Sequence, residues 1–80
     1  MNFTVFSKEG CPHCEKVKKV LELTGSSFVV YTLDEHFDTK AFNEEFGYGS
    51  TFPQVVCDGK KLGGSIETVQ FLREQKIITR

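Results

Sequence analysis

Two strand-like runs on either side of one amphipathic helix, near the start of the chain, restrict the fold more tightly than any other feature of the sequence. In NFTVFS, residues 2–7, Phe3 and Val5 alternate with polar neighbours and Phe6 adds a second apolar face, as in a strand covered on both sides. From Pro12 to Thr24 the apolar residues Val17, Val20 and Leu21 recur at helical spacing. Lys16, Lys18, Lys19 and Glu22 occupy the other face, and Gly25 supplies a C-terminal stop. SFVVYTL follows at once, rich in β-branched and aromatic residues. Strand, helix, strand in this order implies a parallel pair with a right-handed crossover.

The remainder extends this unit. Asp38 or Thr39 is placed to cap a short helix whose Phe42 and Phe46 lie four residues apart and which ends at Gly47. In QVVCDGKKL, Asp58 and Gly59 stand between two strand-like runs, the strongest short hairpin signal, so the last two strands are antiparallel. After Gly63 and Gly64, Ser65 is placed to cap a third helix with Ile66, Val69, Leu72 and the turn at Gln75 toward the sheet, and Glu67, Arg73 and Glu74 outward. The predicted order is βαβαββα, an α/β fold. With 80 residues, 39% of them hydrophobic, and no repeat or linker, it forms one domain over residues 1–80.

Charge and composition exclude several classes of function. A formal net charge of -1, with lysines and acids interspersed, provides no basic field for nucleic acid. The opening MNFTVFSKEG has no basic n-region, and no later apolar run is long enough to span a bilayer. Three cysteines, two of them three residues apart, do not make a disulfide-stapled scaffold. These readings point to a cytoplasmic protein in a reducing compartment, without membrane or nucleic-acid partners.

Those two cysteines, in GCPHCE, lie where the first strand hands over to the first helix. Cys11 falls at the N-cap, and Pro12 at the first helical position has no N–H to lose. The N–H groups of His13 and Cys14 are then unpaired donors directed back at the Cys11 sulfur, and the helix dipole adds to them. A protonated His13 or the nearby Lys8 would favour the thiolate further, which makes Cys11 the attacking sulfur and Cys14 the resolving one. A zinc site is the competing reading. It needs four ligands, and Cys57 and His36 would have to converge from a strand and a distant loop without a second CxxC pair. No metal is expected. Cys57, in Val55-Val56-Cys57, reads as a small buried hydrophobe, and His36 as a surface loop residue without a role.

FSKEGCPHC, TFPQVV, DGKKLGG and the helix after them resemble a glutaredoxin over nearly the whole chain. The resemblance implies a thioredoxin-like (glutaredoxin) fold, a four-stranded mixed sheet flanked by three helices, and a glutathione-disulfide oxidoreductase of the dithiol type. Glutathione would be the co-substrate. By the same resemblance Pro53 is a cis-proline facing the dithiol, Phe52 pairs its backbone with the cysteinyl part of glutathione, and Thr51 leads that segment. Lys8 is placed near a glutathione carboxylate, and Gly63, Gly64, Ser65, Ile66 and Glu67 around the γ-glutamyl end. Three positions depart from the usual pattern: His13 where Tyr is common, Phe52 where Val is, and Ser-Ile-Glu where a Thr or Ser precedes Asp. Ile66 offers no hydroxyl to the glutamyl carboxylate, which leaves backbone N–H groups of Ile66 and Glu67 for that task and the Glu67 carboxylate for the ammonium.

The expected partners are glutathione and disulfide-containing protein substrates, with the chain acting as a monomer. Two other functions fit parts of the sequence. One is a dedicated electron donor to ribonucleotide reductase, itself reduced by a flavoprotein. The other is an iron–sulfur cluster bridged through Cys11 and glutathione, against which Pro12 and Cys14 speak.

Overall fold

The computed structural model describes residues 2–75. The elements follow the expected order: β1 (Asn2–Ser7), α1 (Pro12–Leu23), β2 (Ser27–Thr32), α2 (Thr39–Phe46), β3 (Gln54–Cys57), β4 (Lys60–Gly63) and α3 (Ser65–Glu74). The sheet runs β2-β1-β3-β4. β1 pairs parallel with β2, with Phe3 opposite Phe28 and Val5 opposite Val30, and antiparallel with β3, with Val5 opposite Val55. β3 turns into antiparallel β4 through Asp58 and Gly59, both at positive φ (50° and 88°). A two-residue hairpin turn whose central residues both need positive φ is the mirror-image turn that matches strand twist, and Asp-Gly suits it.

Alternation along the strands builds two different faces. Phe3, Val5, Val55 and Cys57 point to one side, where Val17 and Leu21 of α1 and Leu72 of α3 close over them in a buried cluster. Each such side chain contributes roughly 1.5–3 kcal/mol by leaving water. The other side of the sheet carries Phe6, whose ring lies 5.4 Å from Phe37 and 5.1 Å from Phe46, both edge-on, and 5.7 Å from Tyr31. α2 covers this face with Phe42 and Phe46. Its Asp38 cap accepts a hydrogen bond from the Ala41 N–H at 2.8 Å, which satisfies one of the helix's free donors.

α3 departs from the sequence reading in two ways. Its N-cap is Gly64 rather than Ser65, which is the first helical residue. Glycine has no side chain to cap with, so the Glu67 carboxylate bends back and accepts the Gly64 N–H at 2.9 Å, half of a capping box. The buried face is Thr68 and Leu72, with Phe71 against the core, whereas Ile66 is 69% exposed and Gln75 is exposed. At about 100° per residue Ile66 stands roughly 120° around the helix from Leu72, too far to share its face. Gln75 follows the last packed turn.

Candidate active site

Everything at the site hangs on the strand-to-helix junction after β1. Cys11 is the N-cap of α1, and its sulfur accepts the Cys14 N–H at 3.2 Å. Cys11 and Cys14 are joined in a disulfide across one helical turn, with Cα atoms 5.2 Å apart. Burial distinguishes the two: Cys14 is fully buried against the core, while Cys11 retains 7% exposure at the surface edge. An incoming sulfur can therefore reach only Cys11. Pro12 occupies N1, as its missing N–H allows, and His13 beside it is exposed.

The segment that enters β3 shares a groove with His13, the residue before Cys14. The Phe52–Pro53 peptide is cis, as the family resemblance implies, and Pro53 is fully buried. Phe52 stands against α2, its ring stacked on Phe42 at 4.3 Å and 14°, and on Phe37 at 6.2 Å. These aromatic neighbours fix the wall of the site from behind. Sequence reading saw the Phe42/Phe46 spacing but could not join it to Phe52, because the stack bridges a loop.

A groove of about 330 Å³ runs from His13 past Thr51, Phe52 and Pro53 to Gly64, Ser65, Ile66 and Glu67. Seven of the nine residues placed around glutathione by the resemblance thus line one cavity, with His13 at its dithiol end. Gly63 stands just outside that lining, and Lys8 lies elsewhere. It lines a separate depression with Glu9, Leu33, Asp34 and Glu35, and its ammonium lies 5.4 Å from the centre of the Phe52 ring. It adjoins the groove through Phe52 rather than lining it.

The glycines before α3 are there for close approach. Gly63 has φ +113°, and a Cβ there would press on the Glu67 side chain at 3.0 Å; a Cβ at Gly64 would lie 3.3 Å from the Glu67 carboxylate. Small residues here let Glu67 fold over its own helix start. That carboxylate occupies the Gly64 donor, so an anion reaching this end meets the N–H groups of the next residues beside a fixed negative charge.

The other sulfur and histidine are separate from this site. Cys57 is buried in β3, and burial first, then the neighbouring Asp58 carboxylate, push its thiol above the usual range. His36 is exposed, but it is not idle: its Nδ1 accepts the Thr32 N–H at 3.0 Å and closes the turn after β2. Among the described residues no group of three or more His, Cys, Asp or Glu is arranged to hold a metal ion. No helix among them is long and apolar enough to cross a membrane.

A four-stranded mixed sheet with a CxxC disulfide at the entrance of its first helix and a cis-proline just before its third strand defines a thioredoxin-like thiol–disulfide oxidoreductase. The glutaredoxin family profile matches residues 3–62, and the chain belongs to that family. It is similar to a glutaredoxin of Vernicia fordii, 36% identical over 92% of this chain and 74% of the relative, and to glutaredoxin-C6 of Oryza sativa subsp. japonica, 34% identical over 92% and 69%. A buckwheat glutaredoxin solved in complex with glutathione superposes with a TM-score of 0.77 at 30% identity, over 94% of this chain and 71% of that one. Reduced Escherichia coli glutaredoxin, only 19% identical, shares the fold over 98% of this chain with a TM-score of 0.82. The activity of the chain is that of its family, glutathione-dependent thiol–disulfide exchange.

Proposed function

We propose that the chain reduces protein disulfides and glutathione mixed disulfides through Cys11 and Cys14, binding glutathione in the groove between His13 and Glu67. The observation that carries this is the single cavity beside the dithiol that gathers Thr51, Phe52, Pro53, Gly64, Ser65, Ile66 and Glu67. The relative crystallised with glutathione supports the choice of ligand. The Cys11 thiolate attacks one sulfur of the substrate; a new S–S bond forms, the old one breaks, and the departing thiolate takes a proton. Cys14 then attacks the Cys11 sulfur, expels the second substrate thiol and leaves the Cys11–Cys14 disulfide described above. One glutathione thiolate reopens that disulfide at Cys11, and a second removes the first as glutathione disulfide.

Cys14 is needed only in the step that releases a protein from its mixed disulfide. In a coupled assay with NADPH, glutathione and glutathione reductase, Cys11→Ser abolishes turnover of every substrate. Cys14→Ser retains part of the activity on a glutathionylated peptide and loses most of it on an intramolecular protein disulfide. Equal losses in both variants on both substrates would refute the division of labour, and no turnover by the native chain would refute the glutathione reading. A dithiol closed on itself favours this enzyme over a cluster-bridging role, and no separate observation favours a flavoprotein-reduced donor to ribonucleotide reductase. The chain acts as a monomer in a cytoplasmic compartment, whose reducing character the low cysteine content supports.

A further inference from the structure

A second groove, of about 230 Å³, lies between α1 and α3 and is lined by Lys16, Ser65, Ile66, Val69, Gln70 and Arg73. Ser65 and Ile66 line both this groove and the one beside the dithiol, so the two meet at the start of α3. Their chemistry is opposite. The dithiol groove ends on the Glu67 carboxylate, whereas the second is lined by two cations and no carboxylate. Lys16 and Arg73 are both exposed, and neither takes part in an ion pair among the described residues. In a chain of net charge -1 this is a local surplus of positive charge. Ile66, 69% exposed, forms the apolar sill between the grooves.

We infer that the groove between α1 and α3 receives an acidic side chain of the protein substrate, carried on the same segment whose cysteine reaches Cys11. The inference rests on the oxidoreductase reading above and adds the charge of the preferred substrate. Lys16 lies five residues beyond Cys11, about 7.5 Å along the axis of α1 at 1.5 Å per residue. An extended chain advances roughly 3.3 Å per residue, so the acidic group belongs about two to four residues from the reactive cysteine. Glutathione, one residue long on either side of its cysteine, need not reach so far. Lys16 and Arg73 touch none of the reacting sulfurs and act as specificity residues, attracting an acidic segment and holding it while Ile66 packs beside the chain.

The test uses peptides closed by an intramolecular disulfide, with aspartates or lysines two to four residues before the first cysteine or after the second. Reduced native protein is mixed with each at low and high salt, without glutathione, and the rate of its oxidation is followed. One of the two aspartate peptides should react about two- to tenfold faster than its lysine counterpart, with the preference shrinking in high salt. In the Lys16→Glu, Arg73→Glu double variant the preference should reverse, while the rate with hydroxyethyl disulfide stays at the native value. Both residues are exposed, so the fold tolerates the change. Equal rates for acidic and basic peptides, or a preference that survives in the double variant, would overturn the inference. So would a double variant altered only in its glutathione KM, which would give the groove to glutathione. If no disulfide oxidises the reduced native protein, the oxidoreductase reading falls and this one with it.

Discussion

His13 stands between the two cysteines, at a position where the resemblance to glutaredoxins implies Tyr. It follows Pro12 on the exposed side of the junction and lines the groove, two residues along the chain from Cys11. A cationic ring there stabilises the Cys11 thiolate and with it the dithiol form, which raises the reduction potential. His13→Tyr should therefore shift the potential to more negative values. An exposed charge contributes about 0.5–1 kcal/mol, or on the order of 10–20 mV for a two-electron couple. Equilibration with glutathione redox buffers measures it. An identical potential in both proteins would leave the helix terminus and the Cys14 N–H as the activators of Cys11.

At the scale of elements, α2 is a buttress. It contributes no residue to the groove, yet its Phe42, 3% exposed, stacks on Phe52, which is a wall of the groove. The Lys61 ammonium binds the Glu45 carbonyl at the helix's far end and lies 5.3 Å from the centre of the Phe46 ring, tying α2 to β4. Phe42→Leu keeps an apolar side chain but removes its aromatic pairs with Phe52, Phe46 and Phe37, each worth about 0.5–1.5 kcal/mol. We expect a Tm lowered by several degrees and a glutathione KM raised several-fold, with kcat nearly unchanged because Cys11 and its cap are untouched. Thermal unfolding and steady-state kinetics separate these effects. A fall in kcat at constant KM would show that α2 does not act through Phe52.

For the whole molecule, the three cysteines divide between chemistry and core, and pH reveals the division. Cys57 is 4% exposed with its thiol pushed up by burial and by Asp58. A thiol that ionises less readily folded than unfolded contributes its full stabilisation below the ordinary thiol range near 8.5, and that contribution is lost as pH rises through the folded value. Stability against urea should thus be level around neutrality and fall above about pH 9, and Cys57→Ala should flatten that alkaline decline. In the reduced native protein at pH 7, iodoacetamide should label Cys11 first and leave Cys57 unmodified until the chain unfolds. Prompt labelling of Cys57 would contradict its place in the core.

Much of this was written in local pattern. The βαβ unit, the Asp58-Gly59 hairpin, the Asp38 cap and the placing of Cys11 at the N-cap depend on residues within a few positions of one another, and a chain's backbone preferences act at that range. The resemblance of TFPQVV and DGKKLGG to glutaredoxins supplied the groove residues. What sequence could not decide were contacts between distant segments and angles around a helix. The face that α3 buries was misread at Ile66 because apolar character does not state which neighbour lies beneath. Gly64 rather than Ser65 caps that helix because the Glu67 side chain reaches back over two glycines, a choice made by backbone geometry. Lys8 stands over the Phe52 ring rather than in the groove, and Phe52 is held by Phe42 and Phe37, through packing across the second face of the sheet. The pairing of Lys16 with Arg73 along one groove exists only because α1 and α3 lie side by side on the same face. Local residues determined which sulfur stands at the helix N-cap; the tertiary structure decided what can be brought to it, because a groove belongs to several elements at once and to the sequence of none.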